Sequence, residues 1–163
     1  MPLTDAQVIA AFGDPLPYVR PDGTIDGAWE TAILTSIELP APLPASWDRR
    51  VTIRRLRVHR RIAPLMLAAL ETVCAQPYVW ATIGDVGGCY AWRPVRGNPR
   101  ALSRHSWGLA IDLDVADNPL GAGGRMDPLV IAAFRAEGFE WGGAWRRRKD
   151  PMHFEFSALA RLG

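Results

Sequence analysis

Two short stretches of the chain carry residue types that act together on metals and on water. Ser103-Arg104-His105-Ser106-Trp107-Gly108-Leu109-Ala110-Ile111-Asp112 sets an imidazole and a carboxylate seven residues apart, and Asp150-Pro151-Met152-His153-Phe154-Glu155 sets an imidazole between two carboxylates. The chain has three histidines in all, so these stretches hold two of them. A catalytic zinc takes three N/O side chains and keeps one position for water, whose pKa it lowers towards neutrality. His105, Asp112 and His153 supply three such ligands. Asp150 is then free to take and return a proton as general base and general acid. The residues alone leave a plainer alternative open, in which each histidine only hydrogen-bonds its neighbouring carboxylate. Asp114 and Glu155 compete for ligand roles: Glu155 shares a face with His153 and suits a partner that orients it, and Asp114 reads as a solvated strand end.

These side chains need elements to aim them. Residues two apart share a face of a strand, so a strand over Leu109 to Asp114 turns Leu109, Ile111 and Leu113 to the core and presents Asp112 on the other side. His105 lies at an odd offset from Asp112 and requires a bend, for which Gly108 is the natural place; Gly108 and Ala110 are also expected to leave room above a metal. In a strand over Met152 to Phe156, Met152, Phe154 and Phe156 point inward while His153 and Glu155 point to the opening. Pro151 pushes Asp150 towards an extended conformation just ahead of that strand.

Around these segments the patterns alternate between helix and strand. Thr4 caps a short helix to Ala11, which Gly13-Asp14-Pro15 ends. Pro40, Pro42 and Pro44 disfavour helix and central strand and predict an extended wrapping segment. Val51, Ile53 and Leu56 predict a short strand. Ile62, Leu65, Met66, Leu70 and Val73 recur at helical spacing over residues 59–75, with Pro64 in the first turn. Tyr78–Ile83 and Cys89–Trp92 predict two strands about a tight connection. Asp127-Pro128 opens a helix to Ala136, closed by Gly138. The sum is a single α+β domain over residues 1–163, with 1–48 as an N-terminal wrapping segment and 85–157 as the chemical core.

At 163 residues and 48% hydrophobic the chain can bury a sizeable core. Its longest apolar run, Ile62 to Leu70, contains Pro64 and is far short of a membrane span. The N-terminus lacks the basic and apolar regions of a secretory signal, which predicts synthesis in the cytoplasm. The formal charge of +2 hides an imbalance: residues 1–48 hold seven acids and one arginine, and the remainder ten acids and eighteen basic residues. The run Arg49, Arg50, Arg54, Arg55, Arg57, Arg60, Arg61 has no recognised nucleic-acid module beside it and reads as a solvated strand-helix face, with attraction to an anionic cell wall as the second reading, not as a nucleic-acid interface. Cys74 and Cys89 lack metal or disulfide spacing and read as core thiols. There is no GxSxG elbow, phosphate loop or HExxH helix. Nothing in the sequence sets an oligomeric state.

The same residues carry a family resemblance. The pattern SxHxxGxAxD is met without a gap from Ser103 to Asp112, and [DE]xxH by Asp150 and His153. Over about residues 85–157 the chain resembles the M15 zinc peptidases, the VanY/VanX-type D-Ala-D-Ala peptidases and the L-alanyl-D-glutamate endolysins, whose fold is related to the Hedgehog signalling domain. The segments Gly88-Cys89-Tyr90-Ala91-Trp92-Arg93-Pro94 and Gly138-Phe139-Glu140-Trp141-Gly142-Gly143 are similar to the endolysin-type branch of that family. The resemblance implies a small, mainly antiparallel sheet with flanking helices. It also implies Zn2+ on His105, Asp112 and His153, with Asp150 as the catalytic carboxylate. Arg93 takes the place of the family's arginine at the scissile carbonyl, where it also touches substrate, and Ser103 that of a substrate-binding serine. Asp150 departs from the glutamate usual in the dipeptidases and carboxypeptidases and leans towards the endolysin branch. The implied partner is the stem peptide of bacterial peptidoglycan, bound near Arg93 and Arg104, and the implied place of action is the bacterial cell wall. The implied reaction is L-alanyl-D-glutamate endopeptidase hydrolysis. Two alternatives stand beside it: a D-alanyl-D-alanine carboxypeptidase, and a zinc-stabilised cell-wall binding domain without turnover. Trp107, Trp141 and Trp145 lie near the motif segments and read as core more than as cleft walls.

Overall fold

A computed structural model describes residues 2–162. The two chemical stretches lie in a six-stranded sheet made of β1 (Leu34–Ala45), β2 (Asp48–His59), β3 (Val86–Gly88), β6 (Ala110–Leu113), β7 (Phe139–Trp141) and β8 (His153–Phe156), while β4 (Pro94–Val95) and β5 (Asn98–Leu102) form a separate hairpin. The order across the sheet is β2-β1-β3-β6-β8-β7. All pairings are antiparallel except β1 with β3, which meet in parallel at Ala45 and Val86. The helices are α1 (Asp5–Phe12), α2 (Gly27–Ile33), α3 (Ala63–Cys74), α4 (Pro77–Trp80) and α5 (Pro128–Ala136). This is the α+β architecture that the patterns predict, with the mainly antiparallel sheet that the resemblance implies. No helix of the described residues is long and apolar enough to cross a membrane.

Local chemistry explains the helix ends. Thr4 accepts from the Gln7 amide while Gln7 Oε1 accepts from the Thr4 amide, a reciprocal cap that starts α1. Asp127 accepts from the Leu129 amide at the start of α5, with Pro128 in the first turn. Met66, Leu70 and Val73 of α3 and Val130 and Phe134 of α5 are buried in one core cluster with Ile111, Leu113, Phe154 and Phe156 of the sheet. Each such side chain contributes roughly 1.5–3 kcal/mol on burial. The apolar alternation in β6 and β8 thus commits one face of the sheet to the core and leaves the other for Asp112, His153 and Glu155.

Four expectations change. Cys89–Trp92 is not a strand: the pairing with β6 lies just before it, at Val86–Gly88. Tyr78 and its neighbours are not a strand: Pro77 opens the single helical turn α4, only Val79 within it is buried, and Tyr78 is exposed. The aromatic, β-branched composition that suggests a strand is overridden by a proline in a first turn followed by i to i−3 and i−4 bonds. The proline-spaced segment is strand β1, lying between β2 and β3; the pairing with β2 shifts register between Glu38 and Leu43, so Pro40 and Pro42 fall where no ladder bond is required. The predicted short strand at Val51 is the twelve-residue β2.

The basic run lies on β2 and the turn after it, and acids from the first 48 residues answer much of it. Arg55 meets Glu38 at 2.5 Å, Arg57 meets Glu30 at 2.6 Å and Arg50 meets Asp48 at 2.9 Å, while Arg60 and Arg61 donate to the Thr31 and Ala11 carbonyls. Part of the charge imbalance of the sequence is thus met inside the molecule.

Candidate metal centre

The candidate centre occupies three adjacent strands, β3, β6 and β8. Asp112 and His153 are direct cross-strand partners, and Gly88 flanks Asp112 on the other side. His105 arrives from a 3₁₀ turn, Arg104–Trp107, which Ser103 caps by accepting from the His105 amide. Gly108 reverses the chain with φ 67°, a left-handed conformation that glycine adopts freely. A Cβ there would lie 2.9 Å from the His59 amide nitrogen. The bend expected at Gly108 is present, but its lack of a side chain serves contact with β2 and not open space above a metal. The N-terminal segment fixes the turn from outside: Trp29 donates to the Ser106 carbonyl, Trp107 donates to Gly13, and Arg104 donates to Asp5 and to the Leu3 carbonyl.

Three donor atoms converge. His105 Nε2 lies 3.2 Å from Asp112 Oδ1 and 3.3 Å from His153 Nδ1, and His153 Nδ1 lies 2.9 Å from Asp112 Oδ1. Both rings have their second nitrogen engaged. His105 Nδ1 faces the Cys89 carbonyl at 2.8 Å, and a carbonyl only accepts, so the proton of a neutral ring is on Nδ1 and Nε2 is bare. His153 Nε2 donates to Glu155 Oε2 at 3.2 Å, which leaves Nδ1 bare in the neutral ring. Two imidazole lone pairs and a carboxylate oxygen thus point at a common spot. Their spacings approach the roughly 3.3 Å edge of a tetrahedral face around an ion with bonds of about 2.0–2.1 Å. These residues fit a divalent cation such as zinc.

The electrostatics agree with that fit. Burial works against the Asp112 charge, but the two imidazoles outweigh it and hold its carboxyl well below the usual carboxylate range. Burial also opposes charge on His153, yet the hydrogen bonds and charges of Asp112 and Glu155 raise it to about 10. Without a cation, a proton on His153 fills the spot instead.

Asp150 lies at the edge of this cluster, after the Gly142–Ala144 turn that follows β7. Its amide donates to the Gly142 carbonyl and its own carbonyl accepts from the His153 amide. A Cβ on residue 142 would lie 2.5 Å from the Asp150 carbonyl oxygen, so a glycine is needed to seat Asp150. Its Oδ1 is buried and has no hydrogen-bond partner among the described residues. Burial, with Asp112 adding to it against the attraction of His153, raises this carboxyl above its ordinary value. Arg93 is half-buried in the same cavity, which also holds Asp112, Asp150, His153 and Trp145. Burial lowers its pKa against the pull of Asp112 and Asp150.

The structure therefore brings His105, Asp112, His153, Asp150 and Arg93 to one place. Ser103 lines the cavity too, but it is buried and its hydroxyl caps the 3₁₀ turn. Arg104 is committed to Asp5 and Leu3. Asp114 is buried, not solvated: at φ 49° it accepts from the Gly84 amide and from Asn118. Trp107 and Trp141 are structural, whereas the Trp145 ring packs on His153 with centroids 5.5 Å apart. The Cys89 carbonyl is a partner that sequence reasoning could not find, because a backbone acceptor has no residue signature.

A family model described as D-alanyl-D-alanine carboxypeptidase, of the M15 peptidases, matches residues 96–156. That span contains both histidines, Asp112 and Asp150. The match supports an M15 family peptidase, in line with the resemblance carried by the two motifs.

Proposed function

We propose that the protein is a zinc-dependent peptidoglycan peptidase that hydrolyses stem-peptide bonds, and that it acts as an L-alanyl-D-glutamate endopeptidase at the bacterial cell wall. The observation that carries the reading is the triangle of His105 Nε2, Asp112 Oδ1 and His153 Nδ1, with an unpartnered carboxylate oxygen of Asp150 beside it. A zinc ion on those three residues supplies Lewis acidity and makes water more acidic. Asp150, its carboxyl raised by burial, takes a proton from the attacking water and returns it to the leaving amine. The Arg93 guanidinium stabilises the oxygen on which negative charge develops. Glu155 and the Cys89 carbonyl hold the two imidazoles in the ligating tautomer. Ser103 acts through the turn it caps.

The aspartate at position 150 favours the endopeptidase. The description of the matched family model favours a second reading, a D-alanyl-D-alanine carboxypeptidase. Mass analysis of purified peptidoglycan after digestion separates them: the endopeptidase exposes a new D-Glu amino terminus, and the carboxypeptidase releases free D-Ala. Neither product from zinc-loaded protein would leave a binding domain without turnover and overturn both.

A further inference from the structure

The cavity that holds Asp150 and Trp145 is one arm of a longer cleft. A second cavity, of about 240 Å³ beside the first of about 230 Å³, opens on the other side of Asp112. Arg93, Arg96, Asp112 and Met152 line both, so the two meet at the candidate centre. The wall of the second arm is Trp47, at the apex of the β1–β2 hairpin, with Tyr90. Trp47 is 66% exposed, so it gains little from folding; nothing in the core needs it there.

The apex that presents Trp47 is held firmly. The Ser46 amide donates to the Val86 carbonyl, and Ala45 pairs with Val86 on β3. Arg49 donates to the Gly84 carbonyl and approaches the buried Asp85, which itself accepts from the Val115 amide. These ties join the hairpin to the segments that enter β3 and leave β6 at the centre. A large aromatic surface on a fixed mount beside a cavity is the arrangement of a ligand wall.

Arg96 supplies the polar counterpart. It sits at the turn of the β4–β5 hairpin and lines both arms, and Arg148 donates to its backbone carbonyl. Its guanidinium has no ion pair among the described residues, and the only hydrogen bond of the Arg93 guanidinium among them is a 3.5 Å contact with the Pro94 carbonyl. The carboxylates around them are engaged elsewhere or face the candidate centre: Asp112 with the histidines, Glu155 with His153, Asp5 with Arg104. Two guanidiniums of like charge share the junction; Asp112 and Asp150 pull on Arg93 from the candidate centre, but neither forms an ion pair with Arg93 or Arg96 among the described residues, which suits a substrate that brings its own carboxylate.

We infer that the Trp47–Tyr90 arm binds the substrate on the far side of the cleaved bond from Trp145, and that Arg96 holds a substrate carboxylate at the junction. The inference rests on the peptidase reading and sharpens it: the substrate is an anionic peptide that continues on both sides of the bond. The test uses zinc-loaded protein and three stem-type peptides, one extending at least two residues to both sides and two cut to a single residue on one side or the other. Trp47→Ala is expected to raise KM for the two-sided peptide about tenfold, with kcat within twofold, and to leave one of the shortened peptides unaffected. Arg96→Gln is expected to raise KM for the carboxylate form and not for the matching amide. Equal effects of Trp47→Ala on all three peptides, or none on any, overturn the inference. Unchanged melting temperatures confirm that these exposed positions leave the fold intact. If the wild type cleaves no peptide, the peptidase reading fails, and calorimetric binding of the two-sided peptide decides the arm: weaker binding in Trp47→Ala supports it and equal binding overturns it.

Discussion

The β1–β2 hairpin and the β6–β8 pair are both antiparallel, yet they treat their charged groups in opposite ways. On the hairpin, arginines and carboxylates meet in close pairs open to solvent, as in Arg55 with Glu38 and Arg50 with Asp48. Around β6 and β8 the polar groups are buried or nearly so: the His105, Asp112 and His153 donor atoms crowd one spot, and the Asp150 Oδ1 has no hydrogen-bond partner among the described residues. Exposed pairs contribute little and constrain little. Buried groups left incomplete cost stability unless something else completes them. The difference separates a surface whose charges answer one another from a cluster whose geometry fits a cation. His59 falls on the structural side. It accepts from the Arg61 amide at Nδ1 and donates to the Phe12 carbonyl at Nε2, so both nitrogens are met and none is left for a metal.

The largest expected effect is at Asp150. Asp150→Asn should lower kcat by at least about a thousandfold while leaving one zinc bound per chain, measured by peptide hydrolysis and metal analysis together. Retained activity would remove Asp150 from the chemistry. His153→Ala should lose the metal as well as the activity.

Proton release comes next. His153, raised to about 10 in the metal-free protein, carries a proton at neutral pH that zinc must displace from Nδ1. Zinc binding at about pH 7.5 should therefore release about one proton, and apparent affinity should fall about tenfold per pH unit as the solution becomes more acid. Calorimetry in buffers of different ionisation enthalpy measures this, and binding without proton release would contradict the assigned protonation. Glu155→Gln should weaken zinc by roughly 10–100-fold, because the amide no longer holds the ring as the carboxylate does.

On the structural side the effects are on stability alone. Burial depresses His59 to about 4 from its ordinary 6.5. The unfolded chain takes up a proton as pH falls below 6.5 and the folded chain does not until about 4. The stability from a neutral His59 is thus complete above the ordinary value, falls by about 3 kcal/mol through that window, and is level below it. Denaturant titrations of metal-free wild type and His59→Gln should show this slope only in the wild type. Arg55→Ala, which breaks an exposed pair, should cost less than about 1 kcal/mol and leave peptide hydrolysis unchanged. A large loss there would erase the contrast between the two regions.

Much of the centre is legible in the sequence because its signals are local. Strand alternation puts Asp112 and His153 on one face whatever the rest of the chain does, an odd offset demands a bend before Asp112, and Gly108 is the residue that supplies it. The caps of α1 and α5 follow equally from side chains within a few residues. Pattern and structure part where local preference meets a distant constraint. Tyr78–Ile83 has strand-like composition but no strand beside it to pair with. Pro40 and Pro42 are admitted to a strand because the pairing with β2 is irregular beside them. Asp114 is buried because Gly84, Asn118 and the β3 segment close over it.

What the amino-acid sequence determined by itself is the set of candidate residues and the faces they occupy, since alternation, glycine reversal and proline restriction act over a few bonds. Only the tertiary structure decided that the His105 and His153 nitrogens lie 3.3 Å apart with their other nitrogens engaged, that Arg104 is tied to the N-terminal segment while Arg96 is not, and that Trp47 stands at the mouth of a second arm. Those facts depend on contacts between residues tens of positions apart. They are set by the packing of the whole sheet, which no local pattern encodes.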